Sequence, residues 1–328
     1  MFDNYPAVKE FLTDKVKTCR ILVVGDIMFG RDYFGGNISE ILPARVLREE
    51  ETLGGAANAA YNLALLGCKV FLSAVTGADE KQARLVNILN GLGITSEGLV
   101  SVKKKPTNIK IRIIGSPEQL PRLEFEKLNP INIAGAKKIR LYVESCIEAG
   151  TDVIIISDHG KGLCTPSLCQ YIIKRGNEAK IPVLIDPQGF NWQKYAHSYL
   201  IAPNLQKLGA AFGISIAKND QAINGAAETI AEENLHLTGL VVTRSEKGVS
   251  LVTQDAKIQV LALEQEGFDA LSTHDTFIAV LGAALAGKIN LPDAARLAHL
   301  AAGIAATKSG VSAASCQELM TAVERREN

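Results

Sequence analysis

Six continuous apolar runs, each ending in a polar residue or glycine, most constrain how this chain can fold. They are ILVVGD (21–26), VFLSAVTG (70–77), DVIIISD (152–158), IPVLID (181–186), YLIAPN (199–204) and GLVVTR (239–244). An unbroken apolar, β-branched run suits a strand buried on both faces, as in a parallel sheet, with its last polar residue at the carboxyl edge. Helical patterns fill the intervals at AANAAYNLALLG (56–67), DEKQARLVNILNGLG (79–93), AGAKKIRLYVESCIEAG (134–150) and TPSLCQYIIKRGNEA (165–179). The first, second and fourth stop at glycine or just before a new strand, a usual helix end. This alternation predicts an α/β fold, a doubly wound parallel sheet flanked by helices.

Two stretches break the rhythm. Residues 28–53 and 107–127 alternate polar and apolar side chains, which suits strands with one wet face. They predict a small β-sheet projecting as a lid or dimer surface. The last third turns helical and alanine-rich, in DTFIAVLGAALAG (275–287) and LPDAARLAHLAAGIAATKSG (291–310). With no internal repeat or long linker, residues 1–328 are expected to form a single domain carrying one lid.

Composition narrows the partners. Lysine plus arginine and aspartate plus glutamate both total 35, so no basic excess points to nucleic acid or an anionic membrane. With 47% hydrophobic and 21% charged residues, the chain can bury a sizeable core. No segment reaches the roughly 18–20 apolar residues of a membrane span, and the N-terminus intersperses acids and bases among its apolar residues. Six cysteines lie scattered without zinc-ligand spacing, and five histidines form no metal-binding pair of helical spacing. Reduced thiols and a cytoplasmic location are the expectation.

The segment LGGAANAAYNLALLG (53–67) is the first specific signal. Its glycine pair, Gly54 and Gly55, lets backbone pass close to a ligand, and Asn58 falls in the first turn of the following helix. GD (25–26) closes the first strand. SDHGKG (157–162), DPQG (186–189), APN (202–204) and VTRSEKG (242–248) follow in order. Taken together, over roughly residues 18–312, these motifs resemble the ribokinase-like (pfkB) carbohydrate kinases. They are most similar to the branch that phosphorylates heptose 7-phosphate toward ADP-heptose and lipopolysaccharide, which the arginine-containing stretch QLPRLEFE (119–126) also suits.

The resemblance implies a ribokinase-like fold and in-line transfer of the γ-phosphoryl group of ATP, assisted by Mg2+, to a sugar hydroxyl. It implies Asp275 as catalytic base at a helix start, with Ser272, Thr273 and His274 at the anion hole before it. Asp26, Gly54, Gly55, Asn58 and Asp158 fall on the sugar side, and Arg122 would meet the sugar's existing phosphate. Asn204, Lys207, Thr243, Arg244, Gly248 and His299 fall on the nucleotide side. A homodimer joined through the β lid is a further implication.

Two positions depart from that family's pattern. LSTHD (271–275) stands where Thr-Gly-Ala-Gly-Asp is expected, so Ser272 and His274 replace glycines that let phosphate approach the backbone. Lys207 stands where a glutamate holds magnesium through water; an ammonium can pair with phosphate but cannot ligate a hard cation. Gly30, Gln188 and Ser245 depart near the same cleft. Two readings stay open. The chain is a working, slow sugar kinase in which Lys207 and His274 compensate electrostatically, or a non-catalytic pseudokinase that binds a sugar phosphate, a nucleotide or a protein partner. Plainer roles also stand: Asp275 as a helix N-cap, GGAAN as a tight turn, and His159 as a surface turn rather than a cleft residue.

Overall fold

The apolar runs become adjacent strands. The computed structural model describes residues 2–35, 46–103, 105–114, 123–126, 129–212, 223, 225, 235–244, 247–253, 257–260, 273–308 and 313–327. The main sheet contains β1 (Arg20–Gly25), β4 (Lys69–Gly77), β5 (Thr95–Val102), β8 (Val153–Ser157), β9 (Val183–Asp186), β10 (Leu200–Ile201), β11 (Gly239–Thr243), β12 (Val249–Thr253) and β13 (Lys257–Val260). Their order is β13-β12-β11-β10-β9-β8-β1-β4-β5. Every pairing from β5 to β11 is parallel, and β12 and β13 return antiparallel at one edge.

Side-chain alternation along the strands divides the core in two. In β1, Ile21 and Val23 join the cluster on one face while Leu22 and Val24 join the cluster on the other. The first face is covered by α1 (Tyr5–Thr13), α2 (Ala56–Leu65), α3 (Glu80–Gly91), α7 (Thr273–Ala286), α8 (Leu291–Ala306) and α9 (Cys316–Glu327). The second is covered by α4 (Ile133–Glu148), α5 (Pro166–Glu178) and α6 (Leu205–Phe212). The alanines of α7 and α8 are buried, which lets these two helices pack closely side by side. Helix starts carry their caps: Asp79 accepts from Gln82 N at 3.1 Å, Asn132 from Gly135 N at 2.8 Å and Asn290 from Asp293 N at 2.9 Å. All six cysteines are free and five are buried, as their scattered positions suggest. Among the described residues no helix is long and apolar enough to cross a membrane.

A second, four-stranded sheet is present, in the order β3-β2-β6-β7. It is built from β2 (Ile27–Gly35), β3 (Val46–Gly55), β6 (Ile109–Ile114) and β7 (Leu123–Phe125). The strands fall in the two stretches whose alternation marks a half-wet sheet. The chain leaves β1 for this lid at Asp26 and comes back through Gly54 and Gly55 into α2, so the lid is rooted at the carboxyl edge of the main sheet. Leu47 is 67% exposed and Phe125 54% exposed on the lid.

Candidate active site at the carboxyl edge

The strand-end aspartate Asp26 is a scaffold for its neighbours. Its Oδ2 accepts from the backbone N–H groups of His159 at 3.1 Å and Lys161 at 2.9 Å, and its Oδ1 from that of Leu163 at 3.0 Å. One buried carboxylate thus satisfies three amides and pins the loop after β8. Its carbonyl accepts from Ala56 N at 2.9 Å. Gly55 crosses that carbonyl so closely, at φ +63°, that a Cβ would lie 2.3 Å from the oxygen. The second glycine is therefore required by the turn itself.

Asp158 is likewise buried. It accepts from Lys194 Nζ at 2.5 Å, Tyr195 Oη at 2.7 Å and Gly160 N at 2.7 Å. Burial and the facing Asp158 carboxylate push the Tyr195 phenol far above its ordinary range.

Asp275, in the first turn of α7, faces the cleft, and its Oδ2 accepts from Asn58 Nδ2 at 2.8 Å. The first turns of α2 and α7 therefore meet, with the positive ends of two helices at one point. Opposite them, Asp186 ends β9, fully buried. Its Oδ1 accepts from Lys207 Nζ and lies 3.0 Å from His274 Nε2. Burial alone would raise this carboxyl, yet Lys207 and His274, helped by His159, hold it well below the usual carboxylate range. Among the described residues Asp186 Oδ2 has no hydrogen-bond partner. His159 Nε2 lies 3.8 Å from that oxygen and 3.9 Å from Asp275 Oδ1, with its ring also 3.0 Å from Ser157 Oγ.

One atom each from His159, Asp186 and Asp275 lie within 4.8 Å of one another, a set that could hold a cation. Magnesium fits these residues poorly. It wants near-octahedral oxygen ligands, whereas this set offers two carboxylates and an imidazole, and Asp186 already carries the Lys207 ammonium.

The lid supplies the cleft's other wall. Arg112 on β6 binds Asp32 on β2 in a two-pronged pair, with Nε donating to Oδ1 at 2.8 Å and Nη2 to Oδ2. The two are register partners across the strands. Lys161, in the loop that Asp26 pins, reaches up to the lid strand β7, bonding Glu124 at 2.6 Å and also pairing with Glu126 beyond it. The loop bearing His159 is thus tied to the lid.

Of the residues expected from sequence, Gly54, Gly55, Asn58, Asn204, Lys207, His274 and Asp275 line one cleft. Thr273 is buried at the start of α7. Asp26 and Asp158 lie beneath the cleft, bonded as described. Asn204 Oδ1 accepts from Lys207 N at 2.7 Å, capping α6, and Asn204 bridges to Thr243 at the end of β11. Thr243, Arg244, Gly248 and His299 are not among the residues lining that cleft. Arg244 N donates to Gly248 O at 2.8 Å, closing the β11–β12 turn with Gly248 at φ 88°. His299 is pushed down to about 4 by burial, then by Arg326 and Arg244. Ser272, Ser245 and Arg122 lie outside the described residues. Asp186, Asp32, Lys110 and Arg112 also line the cleft without having been assigned a role from sequence, and His159 lines it as well, in keeping with its cleft reading rather than the surface turn. Asp186 was within reach of the rule that strand-end residues carry function, since it closes IPVLID. Asp32 and Arg112 required the register of β2 on β6.

A family profile described as pfkB family carbohydrate kinase matches residues 19–318. The chain belongs to this family. Among curated relatives of this pfkB chain, the bifunctional protein HldE of Geobacter sulfurreducens is 36% identical over 306 residues, covering 91% of this chain and 62% of the relative. HldE of Ectopseudomonas mendocina is 37% identical over 313 residues, covering 94% and 64%. The chain thus spans less than two thirds of those relatives. Among solved structures, a ribokinase of Arabidopsis thaliana complexed with ribose and ATP superposes with a TM-score of 0.75 at 17% identity, covering 94% of this chain and 99% of that one. The phosphofructokinase-2 of Escherichia coli in complex with potassium gives 0.77 at 17% identity, covering 95% and 100%. These likenesses establish the ribokinase-like fold.

Proposed function

We propose that this pfkB chain is an ATP-dependent kinase of a phosphorylated sugar of the heptose 7-phosphate class, with Asp275 as general base. One observation carries the reading: the Asp275 carboxylate sits in the first turn of α7, oriented by Asn58 at 2.8 Å, within a cleft whose lid wall presents Lys110 and Arg112. A hydroxyl held beside Asp275 loses its proton to that carboxylate as the γ-phosphoryl group arrives. The N–H groups opening α7 take up charge that develops on the phosphoryl oxygens. Lys110 and Arg112 on β6 suit the phosphate the sugar already carries, beside the Arg122 expected there. The HldE relatives support the heptose class, and so a role in ADP-heptose and lipopolysaccharide synthesis in the cytoplasm. The partially exposed lid residues Leu47, Leu123 and Phe125 suit contact with the lid of a second copy, giving a homodimer.

A second reading is favoured by one feature. Asp186 is held by Lys207 and His274 where phosphate and magnesium would be handled, as in a pseudokinase that binds a sugar phosphate or nucleotide without turnover. ADP release with heptose 7-phosphate and Mg-ATP separates the two. Turnover abolished in Asp275→Asn supports the kinase. Ligand binding with no turnover in the wild type supports the second reading.

A further inference from the structure

We propose that Lys207 is a built-in cation that takes the place of a divalent metal at Asp186, so that this cleft receives polyphosphate without a metal ion. The inference rests on the nucleotide-side reading of the cleft. Three observations lead to it.

First, the ammonium is aimed by the backbone. Asn204 Oδ1 accepts from Lys207 N at 2.7 Å, which caps α6 and fixes the root of the side chain in that helix's first turn. Second, Lys207 Nζ lands on Oδ1 of Asp186, a fully buried carboxylate whose charge needs a close cation. His274 shares the same oxygen at 3.0 Å. Third, the other oxygen of Asp186, without a hydrogen-bond partner among the described residues, faces His159 and Asp275 in the set that could hold a cation. A divalent ion entering there would sit against the Lys207 ammonium or displace it, and displacement would leave a half-buried, helix-anchored cation without its carboxylate. With Asp186 neutralised from within, Lys207 presents its remaining donors to the cleft it lines. An ammonium serves phosphate oxygens as a point charge and requires no coordination shell.

The test pairs two titrations on the whole chain. In the first, Mn2+ replaces magnesium as a paramagnetic probe. The wild type should leave its spin-resonance signal free, whereas Lys207→Glu, or Lys207→Gln if the glutamate variant does not fold, should take up one ion per chain. Equal Mn2+ uptake by wild type and variant overturns the proposal. In the second, calorimetry follows sodium ATP in EDTA and in magnesium. Wild-type affinity should agree between the buffers within about threefold, while Lys207→Gln should lose about thirtyfold in EDTA. Wild-type binding that requires magnesium also overturns it. If ATP binds in neither buffer, the phosphoryl-transfer reading fails, and the Mn2+ titration still decides the role of Lys207.

Discussion

Asn58 donates its carboxamide to the Asp275 carboxylate across 2.8 Å, joining the first turns of two helices whose residues stand 217 positions apart. Asn62 continues the chain of contacts, donating to the Asn58 carbonyl at 2.9 Å. The carboxylate proposed as base is therefore held from the side by an amide that cannot take its proton. Replacing Asp275 by Asn keeps the shape and removes the base. Heptose 7-phosphate turnover should fall by about a thousandfold, with ATP affinity little changed. Unchanged turnover would leave Asp275 only the structural contact with Asn58.

Asp26 acts on stability through the loop that it pins. Asp26→Asn exchanges one accepting oxygen for an N–H group that faces backbone donors of the 159–163 loop. The expected cost is about 3 kcal/mol, read as a lower midpoint in urea with an unchanged slope. A loss of sugar affinity at full stability would instead make Asp26 a ligand contact.

His299 gives the fold a pH signature. Its folded value of about 4 lies below the ordinary 6.5 because burial and two arginines disfavour its charge. The unfolded chain therefore binds more protons between those values, so the stability it contributes is complete above pH 6.5. It is lost as pH falls and levels off near pH 4. The span is worth about 3 kcal/mol. His299→Gln should flatten the stability curve over this window relative to wild type. Parallel curves would remove His299 from the account.

The Lys161 bridge to Glu124 and Glu126 ties the lid strand to the body. Lys161→Met should release it. Backbone amides of 123–126 are expected to exchange with deuterium about tenfold faster, while the main sheet keeps its protection. Half-saturation for the sugar should rise more than maximal turnover falls. Uniform acceleration across both sheets would mean a general loss of stability instead.

Much of this architecture is legible in one dimension. The six apolar runs identify central strands because a doubly covered parallel strand has no wet face, and their polar ends mark the functional edge. The edge strands were harder. TSEGLVSV of β5 and the end of β12 mix polar residues into positions that are covered less completely, and β13 is only four residues long. Asn58, Lys207, His274 and Asp275 could be singled out from motif position, since each is placed by a local helix start.

The linear order of residues determined the kind of fold, the lid and several of the groups that line the cleft, because burial periodicity and helix capping are local properties. Only the tertiary structure decided what those groups do to one another. Asp26 and Asp158 turned inward, because each is a buried charge that finds its donors in the 158–163 loop and around Lys194 and Tyr195. Asp186 acquired Lys207 and His274 from distant parts of the chain, because a buried carboxylate takes the nearest cations the packing brings to it.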